Sequence, residues 1–184
     1  MSLLMRNPLI ATTSLLVMLI VLAPIGRAAR SQEMNVPVGH TLAANISLKV
    51  TVNGQATPLT PADLKALPQK TVIFHNSHTK ADETYSGVPL TDLLDKYGAP
   101  TGDKLRGKAM SDYIVATGSD GYKAALSLAE TDPAFHSGDV IVADTLDGKP
   151  IGDKEGPFKL VVTEDKRPAR CVHNLVSIEL RTAD

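Results

Sequence analysis

The stretch that most constrains this chain is Gly156 to Arg181, GPFKLVVTEDKRPARCVHNLVSIELR. It carries two apolar runs, Phe158–Thr163 and Val172–Leu180, joined by a short charged connection from Glu164 to Arg170. In the second run Val172, Val176, Ile178 and Leu180 fall on one face at period two, with His173, Ser177, Glu179 and Arg181 on the other. Successive side chains on extended backbone point to opposite faces, so this alternation predicts a half-buried strand. The basic cluster Lys166, Arg167 and Arg170 precedes it. Such a strand would deliver Arg170 and His173 to a rim where an anion can sit; the plainer alternative is a solvated basic turn.

Runs of the same kind recur upstream. Ile46, Leu48, Val50 and Val52 alternate with Ser47, Lys49 and Thr51, and Asn53-Gly54 then signals a type I′ hairpin back through Gln55–Leu59. Thr60-Pro61-Ala62-Asp63 predicts a helix start, with Thr as N-cap, Pro at the first position and an acid at the third. Leu64 and Leu67 give that helix its apolar side and Pro68 stops it. Thr71–Phe74 predicts a short strand running into a polar loop, His75-Asn76-Ser77-His78. Tyr85-Ser86-Gly87-Val88-Pro89 predicts a turn into a second helix. Leu90, Leu93, Leu94 and Tyr97 make its buried stripe, and Gly98 ends it. Tyr113–Ala116 and Tyr122–Leu126 read as strands about a turn at Thr117–Gly121, and Leu128–Asp132 as one helical turn. Val140–Ala143 reads as a doubly buried strand, followed by a hairpin turn at Asp147–Pro150. The sum is an α+β fold, mostly β, with a mixed sheet or barrel-like core and a few short helices.

Not all 184 residues belong to that core. Met1 to Ala28 has the pattern of a secretory signal: Arg6, an apolar run from Leu9 to Leu22, a break at Pro24 and Gly26, and small residues ending at Ala28. An uncleaved anchor is the alternative. The expected organisation is a signal over 1–28, a surface tail over 29–44 and one domain over 45–184, delivered to the periplasm or secreted. Net charge is −1, Trp is absent and aromatics make up 4%, which argues against a nucleic-acid partner. The single cysteine, Cys171, cannot form an internal disulfide. It is a buried small hydrophobe, a reactive thiol or a ligand, and burial is the default for free cysteine.

Five segments then occur in order: YSGVPLTDLLDKYG (Tyr85–Gly98), SDGYKAALSL (Ser119–Leu128), VIVADTLDGKPI (Val140–Ile151), GPFKLVV (Gly156–Val162) and RCVHNLVSIEL (Arg170–Leu180). Together they resemble the sulfite-oxidase-type molybdopterin-binding domain, over about Ile46 to Arg181. The resemblance implies an α+β fold cradling one molybdenum cofactor, with oxygen-atom or electron-transfer chemistry on a small molecule. The chain has no Cys-x-x-Cys-His haem motif and no iron–sulfur cysteines, so such chemistry would need an electron-transfer or membrane partner protein.

In the family's catalytic members a cysteine thiolate binds the metal from the loop that here reads His75-Asn76-Ser77-His78. That loop has no cysteine, and Cys171 does not match the position. The arginine usual after the Gly-Pro pair is also changed, to Phe158-Lys159. Thiolate is a soft, strongly donating ligand that imidazole or amide does not reproduce. No catalytic residue and no metal ligand is therefore assigned. The resemblance points to His75 and Asn76 in the loop, Asp120 as acceptor for pterin-like amino groups, and Tyr122 as hydroxyl donor. Lys159, Arg170 and His173 are its candidates for a cofactor phosphate. Each has a plainer reading, as exposed loop histidines, an Asp-Gly turn with a core tyrosine, or a solvated basic turn. Two functions stay open: a molybdopterin-dependent oxidoreductase, or a non-catalytic ligand-binding, sensory or partner-binding module on the same fold.

Overall fold

Hairpins that the sequence marks build two sheets. In the computed structural model residues 46–183 are described; the expected signal (1–28) and tail (29–44) lie outside them. Strands β1 (Leu48–Val52) and β2 (Gln55–Leu59) pair antiparallel across Asn53 and Gly54. Both turn residues have positive φ, 51° and 76°, as a type I′ turn requires. The other edge of β1 takes β10 (Leu175–Thr182) in parallel. β10 then pairs antiparallel with β5 (Asp112–Gly118), and β5 with β6 (Lys123–Ser127). The first sheet thus runs β2-β1-β10-β5-β6.

The second sheet runs β3 (Lys70–Asn76), β4 (Ala81–Pro89), β7 (Val140–Leu146) and β8 (Lys149–Pro150), with β9 (Lys159–Val162) also paired to β7. Neither sheet closes on itself, so the fold is α+β with open sheets rather than a barrel. The expected short helices are α1 (Pro61–Lys65) and α2 (Leu90–Lys96). Thr60 and Asp63 form a reciprocal capping box on α1: the Asp63 N–H donates to the Thr60 hydroxyl at 3.2 Å and the Thr60 N–H to the Asp63 carboxylate at 2.8 Å. The core joins β1, β5, β7, β9 and the Leu90, Leu93 and Leu94 stripe of α2. All four residues of Val140–Ala143 are buried, as their unbroken apolar run predicts.

Three expectations are corrected. β3 does not stop at Phe74 but continues through His75 and Asn76, which face Asp82 and Ala81 across the hairpin. The turn is Ser77 to Lys80. Tyr85–Pro89 is not a turn but the second half of β4, and Gly87 is there because β7 comes so close: a Cβ on it would lie 2.1 Å from the Val142 carbonyl oxygen. The final strand begins at Leu175 rather than Val172, and its register shifts between Leu175 and Ser177. Leu175 and Ile178 point inward while Val176 is 39% exposed, so the clean alternation breaks at a bulge.

Candidate functional site

Ahead of β10, Val172 exchanges backbone hydrogen bonds with Leu160 of β9 at 2.9 and 3.2 Å, which holds its neighbours Cys171 and His173 in place where three other segments meet them. The turn after β3 brings Ser77 and His78. The turn between β5 and β6 brings Asp120 and Tyr122, and the connection ahead of β10 brings Arg167, Pro168 and Ala169. Together they line a cleft of about 580 Å³, within the roughly 300–1,000 Å³ of small-molecule sites. Gly118 allows the close approach: a Cβ there would lie 2.8 Å from both Asp120 Oδ1 and the His173 carbonyl oxygen.

Asp120 Oδ1 accepts the Tyr122 N–H at 2.9 Å, which shapes the turn. Tyr122 was expected on the core side; it precedes β6 and is 48% exposed on the cleft wall, its hydroxyl donating to the Ala169 carbonyl. Of the residues expected to bind a cofactor, the structure brings Asp120, Tyr122 and His173 together.

The other four lie elsewhere. Arg170 does not line the cleft. Its guanidinium donates to both Asp165 oxygens, at 2.8 and 2.6 Å, and to Glu130 Oε1 at 2.9 Å. Those hydrogen bonds, to Asp165 first and then to Glu130, hold its charge more firmly than usual. The fork that was expected to take a phosphate is filled by carboxylates and braces the Pro168–Ala169 wall. Lys159 is 2% exposed; its ammonium donates to the Tyr85 hydroxyl at 2.6 Å and to Glu155 Oε2 at 2.8 Å. His75 pairs with Asp82 at 2.7 Å, both side chains exposed. Asn76 donates to Glu83 at 2.8 Å and accepts the His78 N–H at 3.0 Å.

Cys171 is 4% exposed, and burial pushes its thiol up, so it is a neutral thiol with Val162 N–H 3.5 Å from its sulfur. Nδ1 of His173 lies 3.6 Å from Glu155 Oε1. Burial first, then the Lys159 charge, push this imidazole below its ordinary range.

Sequence reasoning missed Glu155 and the polar role of Tyr85, and the pattern shows Glu83 only as half of a surface acidic pair with Asp82. Tyr85 donates to Glu83 Oε2 at 2.8 Å, and burial followed by that hydrogen bond pushes its phenol well above the usual range. No local pattern signals contacts between residues 74 positions apart. Arg167 was visible in the basic cluster; it is exposed on the cleft, and among the described residues it makes no ion pair.

This donor set suits the organic part of a molybdenum–pterin group better than the metal. Asp120, Arg167 and His173 offer an acceptor and two donors around an apolar-walled cleft. Among the described residues no three His, Cys, Asp or Glu side chains converge as a metal site. The turn after β3, where the resemblance places the thiolate ligand, offers only the Ser77 hydroxyl and His78 imidazole, so this turn does not fit molybdenum.

The fold and this cleft define a molybdopterin-binding type of domain, and the chain belongs to the oxidoreductase molybdopterin binding domain family, whose model matches residues 33–184. Among solved structures it is similar to the sulfane dehydrogenase SoxCD from Paracoccus pantotrophus, with a TM-score of 0.56 and 16% identity over 73% of this chain. The match spans 37% of that chain's length, and at this identity it shows the fold alone. No curated protein matches the sequence significantly.

Proposed function

We propose that the protein is an exported, ligand-binding member of this family. Its cleft takes a pterin-type ring bearing an anionic substituent, without a molybdenum-ligating thiolate of its own. One observation carries this reading: Asp120 and Tyr122 from the β5–β6 turn, and Arg167 and His173 from the stretch ahead of β10, surround one cleft of about 580 Å³ whose turn after β3 has no thiol. Arg167 supplies a planar fork for an anion, Asp120 accepts from ring amino groups, and Tyr122 offers a face for stacking.

A second reading, a molybdopterin-dependent oxidoreductase served by an electron-transfer or membrane partner protein, is favoured by the Cys171 thiol on the cleft wall. Elemental analysis of protein purified from the periplasm of a cofactor-competent host separates the two. The expected result is no stoichiometric molybdenum, together with saturable binding of pterin-6-carboxylate followed by its fluorescence. Near one molybdenum per chain, lost in Cys171→Ser, would establish the second reading instead.

A further inference from the structure

Beneath the cleft runs a chain of polar contacts that joins its two walls. It starts at His173, whose Nδ1 lies 3.6 Å from Glu155 Oε1. The other Glu155 oxygen accepts from buried Lys159 at 2.8 Å, and Lys159 also donates to the Tyr85 hydroxyl. Tyr85 donates to Glu83, Glu83 accepts from Asn76, and Asn76 accepts the N–H of His78 on the opposite wall. The main chain reinforces the first link. The N–H of Asn174, next to His173, donates to the Glu155 carbonyl at 2.8 Å, and the Asn174 side chain donates to the Lys154 carbonyl at 3.0 Å. Glu155 is thus tied to the His173 segment through both backbone and side chain, yet it does not line the cleft.

We propose that Glu155 is a positioning residue for His173, held by Lys159, so that the cleft takes up an anion together with a proton on His173. The proposal rests on the reading of the cleft as an anion-binding site. With Nδ1 turned to Glu155, Nε2 is the nitrogen that takes up the proton, and only then can it donate to a ligand. The charged groups around the ring are Glu155, Lys159, Asp120 and Glu83, with Arg167 and His78 on the other cleft walls. Burial and the Lys159 charge favour the neutral ring, while the three carboxylates favour the cation. The ring is therefore neutral at pH 7, and an anion that needs its charge binds more tightly as pH falls.

The test uses the full chain and pterin-6-carboxylate as probe. Histidine proton NMR follows the His173 titration without ligand, and fluorescence follows binding at pH 5.5 and 7.5. In the wild type, binding is expected to be about threefold to tenfold tighter at pH 5.5, the span of up to one pKa unit. Glu155→Gln should move the His173 midpoint down by roughly half a unit to one unit, and the pH dependence of binding with it. Glu155→Asp keeps the charge and should recover part of the shift, which a merely structural role would not do. His173→Asn should abolish the pH dependence. An unchanged His173 midpoint in Glu155→Gln would overturn the proposal, and so would binding independent of pH in the wild type. A shifted midpoint with no probe binding at either pH would support the Glu155–His173 link and overturn the pterin reading instead.

Discussion

Lys159 is the one buried lysine or arginine among the described residues, and it is costly to house. A buried ammonium loses its hydration, which Glu155, the Tyr85 hydroxyl and the Tyr85 ring face, 4.6 Å from the ammonium, replace. Removing it leaves Glu155 and Glu83 converging on Tyr85 with no cation between them. Lys159→Met is expected to cost about 2–4 kcal/mol in urea denaturation, discounted for the partly exposed Glu155. Lys159→Met with Glu155→Gln should regain at least part of that loss, because the charges then leave together. If the double variant is no better, Tyr85 and Glu83 are the partners that matter. Arg170 makes the opposite case to its sequence reading. Arg170→Ala should lower stability by about 1–2 kcal/mol, or roughly 3–6 °C in Tm, because two carboxylates lose their donor. An unchanged Tm with weaker anion binding would return Arg170 to the cleft. Both residues were legible as cations, but neither lines the cleft where they were expected to meet a phosphate. Their partners were not legible: Glu130 lies 40 positions from Arg170 and Tyr85 lies 74 from Lys159.

At the scale of elements, the strands with a clean period and a marked turn were legible: β1, β2, the apolar half of β7, and the stripe of α2. Those that failed did so for identifiable reasons. β4 hides behind Ser-Gly and Val-Pro pairs, which read as turns unless the partner strand is known. β3 turns polar as its outer face meets solvent, so His75 and Asn76 looked like loop. β10 loses its alternation at the bulge between Leu175 and Ser177, and no period-two pattern anticipates an inserted residue. Gly87 tests this packing. A methyl there meets Val142 O at 2.1 Å and Ala143 Cα at 2.5 Å, all backbone, so β4 and β7 must separate. Gly87→Ala is expected to cost more than about 2 kcal/mol, read as a lower urea midpoint. A midpoint within error of the wild type would mean that the two strands can part freely.

For the molecule as a whole, the charges that brace the cleft also set its response to acid. Burial opposes ionisation of Glu130 and Glu155, but hydrogen bonds from Arg170 and Ser127, and from Lys159, outweigh it and hold both carboxyls below their ordinary range. Their stabilisation is full above the unfolded carboxylate range near 4.5 and is lost as pH falls from there through their lower folded values. His173 acts in the same direction higher up. Its depressed folded value means the unfolded chain binds its proton first, so stability declines as pH drops below 6.5. Tm should therefore be highest above pH 6.5 and fall in two stages, with Glu130→Gln flattening the lower one; a Tm that rises on acidification would reverse this assignment. The wider consequence is that protein charges brace the cleft walls, Arg170 with Asp165 and Glu130 beside Ala169, so the proposed lack of a metal-ligating thiolate can be tested on an intact scaffold. If only the ligand is missing, restoring it on the cleft wall should restore the metal. Ser77 lines the cleft, whereas His75 points to solvent and Asn76 is bonded to Glu83. Ser77→Cys, expressed in a cofactor-competent host, is expected to retain more molybdenum than the wild type by elemental analysis, and His75→Cys no more. No gain at Ser77 would show that the cleft itself, not the lost ligand, excludes the metal.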